Sequence, residues 1–138
     1  MAQSLGMSRV RVGIDLVQIS RIAKALEAFG ERFIRRVFTD DEAAYARSGQ
    51  PPYGALLTAP RLATRFAAKE AVKKALGLDG VGWRDLEVTR RDSGACDLVL
   101  HGAARAAADA LGARDHALSM SRDGDYATAI VIAQVGDV

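Results

Sequence analysis

The sequence predicts a small α+β domain in which antiparallel strands pack against helices. Several short segments alternate apolar and polar residues, which is the period of a strand. Other, longer segments carry apolar residues every three or four positions, which is the period of a helix. The chain has 138 residues, of which 49% are hydrophobic and 26% are charged, as in an ordinary globular protein with one core. We therefore assign residues 1–138 to a single domain, with residues 1–8 as a flexible tail.

The first predicted elements are a strand and a helix. Apolar and polar residues alternate over 10–15, which predicts a strand that ends on Asp15. Ser20 suits the N-cap of the helix that follows, and Gly30 ends that helix. Asp15 is thus expected where a strand opens into a helix, a position from which side chains reach clefts.

Two short helices and a loop come next. Residues 31–37 are expected to form a short helix. Thr39 and Glu42 have the spacing of a capping box, which predicts another helix as far as about Arg47. Glycine and proline are frequent over 48–59, which predicts an exposed loop.

A long helix and two hairpins complete the expected fold. Pro60 suits the first position of the helix, which runs to Leu76 and ends at Gly77. The remaining expected elements are a hairpin of strands 86–90 and 96–100, a helix over 102–111, and a hairpin of strands 117–120 and 126–134 that turns at 123–125.

Composition narrows the possible functions. The net charge of +2 is too small to argue for nucleic acid binding, and the few aromatic residues do not interleave with the basic ones. The single Cys96 cannot form an internal disulfide, which favours a reducing compartment. No segment has the apolar run of a signal peptide or a membrane span. We expect a cytoplasmic protein that binds neither nucleic acid nor membrane.

Asp15 and Glu70 are the candidate metal ligands. The helix over 60–76 is apolar around most of its circumference, so Glu70 is expected in a dry setting. A carboxylate there must protonate, pair with a cation or bind a metal. The alternatives are a turn cap for Asp15 and a salt bridge from Glu70 to Lys74, four residues on.

Basic residues surround Glu70 on its own helix. Arg65, Lys69 and Lys74 all lie within two turns of it, which is more positive charge than one glutamate needs. A pyrophosphate bound together with Mg²⁺ would explain the excess, because Mg²⁺ takes one or two carboxylates and completes its shell with phosphate and water.

Three segments resemble the holo-acyl-carrier-protein synthase family, the small phosphopantetheinyl transferases. They are Gly13-x-Asp15 through Ile22, Phe38-Thr39-x-x-Glu42, and Arg65-Phe66-Ala67-x-Lys69-Glu70-Ala71 through Ala75. The resemblance extends from Val10 to about Ala133. It implies an enzyme that moves the 4′-phosphopantetheine arm of coenzyme A onto a serine of apo acyl carrier protein, releasing adenosine 3′,5′-bisphosphate. It also implies a homotrimer with active sites at the subunit interfaces.

The resemblance implies a role for each candidate residue. Asp15 and Glu70 would be the Mg²⁺ ligands, and Lys74 would meet the pyrophosphate as a third catalytic residue. The residues implied near coenzyme A are Arg65, Lys69, Lys74, Gly77 and Arg122. The base that takes the serine proton stays open among Glu70, Asp15 and a magnesium-bound water.

The segment from Arg21 to Arg36 is basic, with five positive charges against two negative ones. Acyl carrier proteins are acidic around the modified serine, so a basic helix would steer and orient them. The residues expected to contact the carrier are Arg21, Lys24 and Arg32. The alternative is an ordinary solvated helix face.

Some positions depart from the family pattern. Residues 77–80 stand where Gly-Thr-Gly is usual, residues 94–96 where Gly-Lys-Pro is frequent, and Arg122 where many members carry histidine or aspartate; the loop over 48–60 is longer. Arg122 either binds the 3′-phosphate or is a surface charge of the hairpin. The departures at Leu78, Asp79 and Arg122 motivate one alternative, a non-catalytic module that binds the carrier protein or coenzyme A. A separate alternative is a purely structural trimeric domain in which Glu70 pairs with Lys74.

Overall fold

A three-stranded antiparallel sheet and a long helix form the centre of the protein. The structure, a computed structural model, describes residues 9–51 and 53–136; the expected tail at 1–8 lies outside them. The elements in chain order are β1 (Arg9–Gln18), α1 (Ile19–Phe29), α2 (Glu31–Val37), α3 (Asp40–Ala46), α4 (Tyr53–Leu76), a 3₁₀ turn (Trp83–Asp85), β2 (Leu86–Arg90), β3 (Cys96–Leu100), α5 (Gly102–Ala110), β4 (Ala113–Asp123) and β5 (Tyr126–Val135). Among the helices described, none has the length and apolar character that a membrane span requires.

The strands form two antiparallel sheets. The larger has the order β1-β5-β4, and the smaller is the hairpin of β2 and β3. The α+β class, both hairpins and the helix between them are confirmed, and so is the capping box of α3. Strand β4 is longer than expected, because its pairing with β5 continues from the turn to the last residue of β5, Val135.

Helix α4 lies unusually close to β1. Its buried face is rich in alanine, including Ala67, Ala71 and Ala75. Opposite them lies Gly13 of β1, where an added Cβ would stand 1.9 Å from the carbonyl oxygen of Ala71. Only glycine fits such an approach between two backbones. This contact brings the next inward-facing residue of β1, Asp15, beside the middle of α4.

The outer face of β1 is apolar and exposed. Val10, Val12, Ile14 and Leu16 are 60–69% exposed, and Ile132 of the neighbouring strand β5 is 45% exposed. The alternation over 10–15 therefore predicts the strand correctly, while the apolar side of β1 points away from α4. A contiguous apolar patch of this kind usually marks a contact with another molecule.

Two element boundaries differ from the sequence prediction near the N-terminus. Strand β1 does not end at Asp15 but continues to Gln18, because its pairing with β5 runs on to Tyr126. The Asp15 carbonyl also accepts a hydrogen bond of 2.8 Å from the hydroxyl of Thr128. Helix α1 begins at Ile19, so Ser20 lies inside its first turn and is not its N-cap.

Helix α4 also begins earlier than expected. It starts at Tyr53, with Pro60 inside it, so the predicted loop over 48–59 is wrong for its second half. Proline in a helix interior removes one backbone hydrogen bond. The preceding turns nevertheless hold, and the Thr58 hydroxyl donates to the Gly54 carbonyl at 3.2 Å. The predicted end of the helix at Gly77, which has a φ of 64°, is confirmed.

Candidate active site

Asp15 and Glu70 line the same cavity. It has a volume of about 340 Å³ and lies between β1, the start of α1 and the middle of α4. We call it the carboxylate cavity. Its lining residues are Asp15, Leu16, Val17, Gln18, Arg21, Ile22, Phe66 and Glu70. The two predicted metal ligands, which are 55 positions apart in the sequence, are thus brought to one opening within a single chain.

Lys74 pairs with Asp15 and not with Glu70. Its ammonium group donates to Asp15 Oδ1 at 2.9 Å and to the Ile14 carbonyl at 3.0 Å. Glu70 is half-buried, a wetter setting than expected, and within residues 9–51 and 53–136 no side chain forms an ion pair or hydrogen bond with its carboxylate. The i,i+4 salt bridge, which was the structural alternative for Glu70, is therefore not formed.

The oxygen donors of this cavity fit Mg²⁺. Two carboxylates from different elements reach one opening, and Mg²⁺ in phosphate-transferring sites commonly takes one or two carboxylates and leaves the rest of its shell to phosphate and water. In the described part of the chain no three His, Cys, Asp or Glu side chains cluster as a metal site. That pattern suits a metal shared with a substrate better than one held in a protein cage.

Lys69 occupies a different place from the one the resemblance implies. Its side chain is fully buried, and its ammonium donates to Glu42 Oε1 at 2.7 Å and to the carbonyls of Trp83 and Leu86. Burial lowers the pKa of Lys69, and this effect outweighs the attraction of Glu42, which acts in the opposite direction. With every donor direction turned into the core, Lys69 braces α4 against neighbouring elements.

Glu42 completes this buried pair. Its carboxylate also accepts from the backbone N–H of Thr39 and of Val88, each at 2.9 Å. The sequence identified Glu42 as the last member of a capping box, and the structure adds that it joins α3, α4 and β2. Nothing in local sequence could reveal the second role, since its partners are 27 and 46 positions away.

Arg65 and Arg122 line a second cavity, which we call the arginine cavity. Its volume is about 340 Å³ and its lining includes Arg61 and Arg90 as well as Tyr45. The guanidinium carbons of Arg65, Arg61 and Arg90 lie 4.5, 4.8 and 5.2 Å from the centre of the Tyr45 ring. Burial lowers the pKa of Arg65. The sequence missed the contributions of Tyr45, Arg61 and Arg90, which come from separate elements and carry no common motif.

The basic residues of α1 and α2 border an apolar groove. The groove has a volume of about 440 Å³ and is lined by Phe29, Arg32, Phe33, Arg36, Val37, Phe66 and Trp83. We call it the aromatic groove. Phe66 lines both this groove and the carboxylate cavity, so the two openings adjoin. Arg21 borders the carboxylate cavity, Arg32 borders the groove, and Lys24 is exposed on α1 between them in sequence.

Known proteins of one superfamily resemble this chain over most of its length. Residues 11–131 match the family model described as the 4′-phosphopantetheinyl transferase superfamily. The chain belongs to this superfamily. It is 45% identical over 123 residues to a holo-[acyl-carrier-protein] synthase of Gloeobacter violaceus, covering 88% of this chain and 89% of that protein. It is 48% identical over 132 residues to the synthase of Paramagnetospirillum magneticum, covering 91% and 95%.

Solved structures of the 4′-phosphopantetheinyl transferase superfamily share the fold. The ACPS–CoA complex of Chronobacterium ammoniagenes matches with a TM-score of 0.78 at 32% identity, covering 92% of this chain and 98% of that one. A holo-[acyl-carrier-protein] synthase from Neisseria meningitidis matches with a TM-score of 0.77 at 30% identity, covering 89% and 96%. The family identified from the sequence motifs is therefore confirmed over nearly the whole chain.

Proposed function

We propose that this protein is a holo-[acyl-carrier-protein] synthase in which Asp15 and Glu70 hold Mg²⁺. It transfers the 4′-phosphopantetheine group of coenzyme A to a serine of apo acyl carrier protein. The observation that carries the proposal is the carboxylate cavity, which Asp15 and Glu70 both line and where the Lys74 ammonium reaches Asp15 Oδ1 at 2.9 Å. Family membership and the similarity to named synthases support the reaction class.

The reaction requires charge neutralisation and alignment. The serine oxygen of the carrier attacks the phosphorus that bears the pantetheine arm, the bond from this phosphorus to the bridging oxygen breaks, and adenosine 3′,5′-bisphosphate leaves with that oxygen. Mg²⁺ supplies charge neutralisation at the pyrophosphate when it is bound. Lys74 adds a positive charge beside Asp15, and Glu70, which has no partner among the described side chains, is a suitable acceptor for the serine proton.

The arginine cavity suits the other end of coenzyme A. Its guanidinium groups form a cationic wall that fits the 3′-phosphate. Arg65 and Glu70 are five residues apart on α4, which places them about 140° apart around the helix. The two cavities share no lining residue. A single coenzyme A molecule that contacts both cavities would therefore need a site built from two copies of the chain. Lys69 is not part of this proposed site, because its side chain is buried.

The exposed face of β1 supports such an assembly. Four adjacent apolar side chains of β1 are at least 60% exposed, and burying them between copies would remove them from water. We propose the homotrimer that the family resemblance implies, with this face at the contact. Sedimentation velocity tests it: Val12→Asp should dissociate the assembly, and a Val12→Asp protein that sediments like the native protein would contradict this interface.

The carrier protein fits the aromatic groove and its basic border. An acidic amphipathic helix could place an apolar side chain among Phe29, Phe33 and Trp83 while its carboxylates meet Arg21 and Arg32. Because Phe66 borders both openings, a carrier docked here would present its serine next to the carboxylate cavity. The positions of Arg21 and Arg32 at these openings support them as carrier contacts, and the exposed Lys24 on the same helix is proposed as a third.

Mass spectrometry of the carrier protein tests the function. With coenzyme A and Mg²⁺, the native protein should add one phosphopantetheine group to an apo carrier. Glu70→Gln should reduce the rate by more than about a hundredfold, the order expected when a group that stabilises developing charge is removed. Glu27→Gln, an exposed carboxylate of α1, is the matched control and should be fully active. Unchanged transfer by Glu70→Gln would contradict its role.

Mixing inactive variants tests whether two copies share a site. Arg122→Ala and Glu70→Gln should each be inactive alone. After unfolding together and refolding, random assembly should restore about a quarter of native activity if each site takes Glu70 from one copy and Arg122 from its neighbour. No recovery would place both residues in one chain's site.

The non-catalytic module is the second candidate, favoured by the altered segment 77–80, in which Leu78 is buried and Asp79 is exposed. Isothermal titration calorimetry separates the two functions. A module would bind coenzyme A or the carrier without forming a covalent product.

A further inference from the structure

The turn between β4 and β5 reaches across to the first residues of α1. Asp125 in this turn accepts three hydrogen bonds from them. Its carboxylate takes the Ser20 backbone N–H at 2.9 Å and the Ser20 hydroxyl at 2.6 Å, and its carbonyl takes the Ile19 N–H at 2.7 Å. Ser20 and Asp125 are 105 positions apart in the chain.

Asp125 performs the role that an N-cap residue usually performs from within its own helix. The first N–H groups of a helix have no partner inside the helix and normally bond to a preceding Ser, Thr, Asp or Asn side chain. The residue at the N-cap of α1 is Gln18, and its side chain makes no capping hydrogen bond. Asp125 supplies the missing acceptor, and its negative charge also suits the positive end of the helix dipole.

The capped turn of α1 is part of the wall of the carboxylate cavity. Gln18 and Arg21 line this cavity on either side of Ile19 and Ser20. Arg21 is exposed and long, so the direction of its side chain depends on how firmly the first helical turn is held. The same hairpin carries Arg122, three residues before Asp125 and in the arginine cavity.

We propose that Asp125 is a positioning residue for carrier recognition, which acts by fixing Arg21 at the mouth of the carboxylate cavity. The proposal rests on the proposed transfer to an acidic carrier protein. Asp125 lines neither the carboxylate cavity nor the arginine cavity; it holds the helix turn from which Arg21 would reach the carrier. The turn between β4 and β5 thereby becomes a determinant of which carriers are accepted.

Steady-state kinetics with the complete protein test this role. Asp125→Ala should raise the KM for apo carrier protein about fivefold, the factor expected if the whole free energy of one capping interaction serves to hold Arg21 in place. The KM for coenzyme A should change by less than about twofold, because Asp125 and Arg21 are not among the residues proposed to bind coenzyme A or Mg²⁺. Asp123→Ala removes a carboxylate from the end of β4 in the same hairpin and should leave both constants unchanged. An unchanged carrier KM in Asp125→Ala would overturn the proposal.

The Arg21→Ala background distinguishes an effect of Asp125 that acts through Arg21 from a general stabilisation of the helix. If Asp125 acts through Arg21, then Asp125→Ala should change the carrier KM by less than about 1.5-fold once Arg21 has been removed. A full fivefold effect in the Arg21→Ala background would overturn the proposal. Asp125→Asn keeps acceptor and donor atoms near Ser20 and should restore nearly native kinetics; a folded but equally impaired Asn variant would also overturn it.

Two further measurements cover the cases in which Asp125→Ala does not fold or the native protein shows no transfer. If Asp125→Ala does not fold, Ser20→Ala removes only the hydroxyl bond of 2.6 Å and should raise the carrier KM by a smaller factor in the same direction; no rise would overturn the proposal. Native protein that transfers nothing to any carrier would instead refute the proposed function, and this positioning role with it.

Discussion

Replacing Lys69 by methionine tests whether its role is structural. The substitution retains much of the aliphatic stem and removes the ammonium from a fully buried position. Glu42 keeps its bonds from the Thr39 and Val88 N–H groups but loses its only ion-pair partner among the described residues. Breaking a buried pair from one side costs about 3–5 kcal/mol, because the remaining charge stays buried.

This loss is large compared with the stability of a small domain. Total unfolding free energies are about 5–15 kcal/mol. For a chain of this size the loss corresponds to a decrease in Tm of roughly 10–20 °C. Urea unfolding followed by far-UV circular dichroism should therefore show a much lower midpoint for Lys69→Met. Lys73→Met, on the same helix, is the control; it removes only the contact of the Lys73 ammonium with the Trp83 ring, worth about 0.5–1 kcal/mol.

Two outcomes would refute this reasoning. The first is a Lys69→Met protein within about 1 kcal/mol of the native stability, below the range for breaking a buried pair. The second is weaker binding of coenzyme A with unchanged stability, which would mean that Lys69 binds coenzyme A. The double variant Glu42→Gln/Lys69→Met should recover part of the loss, because no charge is then left buried without a partner.

Two other predictions concern β1 and β2. Gly13→Ala should destabilise the fold by at least about 2 kcal/mol and lower transfer activity, because an added Cβ forces apart two backbones that carry Asp15 and Glu70; an active, equally stable Ala variant in the same urea assay would contradict this. Burial alone would raise the pKa of Glu87, but its hydrogen bonds with Thr39 and His101, together with the charges of His101 and Lys69, outweigh burial and lower the pKa below 4.5. Its native pKa lies below the unfolded value, so this stabilisation is present above pH 4.5 and lost as the pH falls through the native pKa. Urea midpoints measured on both sides of that window should therefore fall less in Glu87→Gln than in the native protein, and equal falls would refute the assignment.

Local patterns predict the elements of this fold well. Strands β2 and β3 and helices α2 and α5 lie where periodicity and turn residues place them, and the Thr39 and Glu42 capping box opens α3 as expected. The predicted boundaries are wrong where contacts between residues distant in sequence determine where an element begins or ends. Pairing with β5 extends β1 past Asp15, Asp125 caps α1 in place of Ser20, and α4 continues through Pro60.

The candidate site shows the same division. Sequence spacing pointed to Asp15 and Glu70, and the fold brings them to one cavity. It could not tell which carboxylate Lys74 would approach, because the i,i+4 partner Glu70 and the distant Asp15 compete for the same ammonium. Sequence spacing also could not distinguish the role of Lys69 from that of Arg65, since both are basic residues of one helix. Only the packing shows that Lys69 forms an ion pair inside the core, while Arg65 lines a cavity.

The two faces of strand β1 differ in chemical character. Asp15 faces α4, while its neighbours Ile14 and Leu16 face outward. Because side chains alternate strictly along a strand, sliding β1 by a single position would turn the acid toward solvent and insert an aliphatic side chain beside Glu70. Insertions or deletions within this strand should therefore be selected against, even where the lengths of the flanking segments vary.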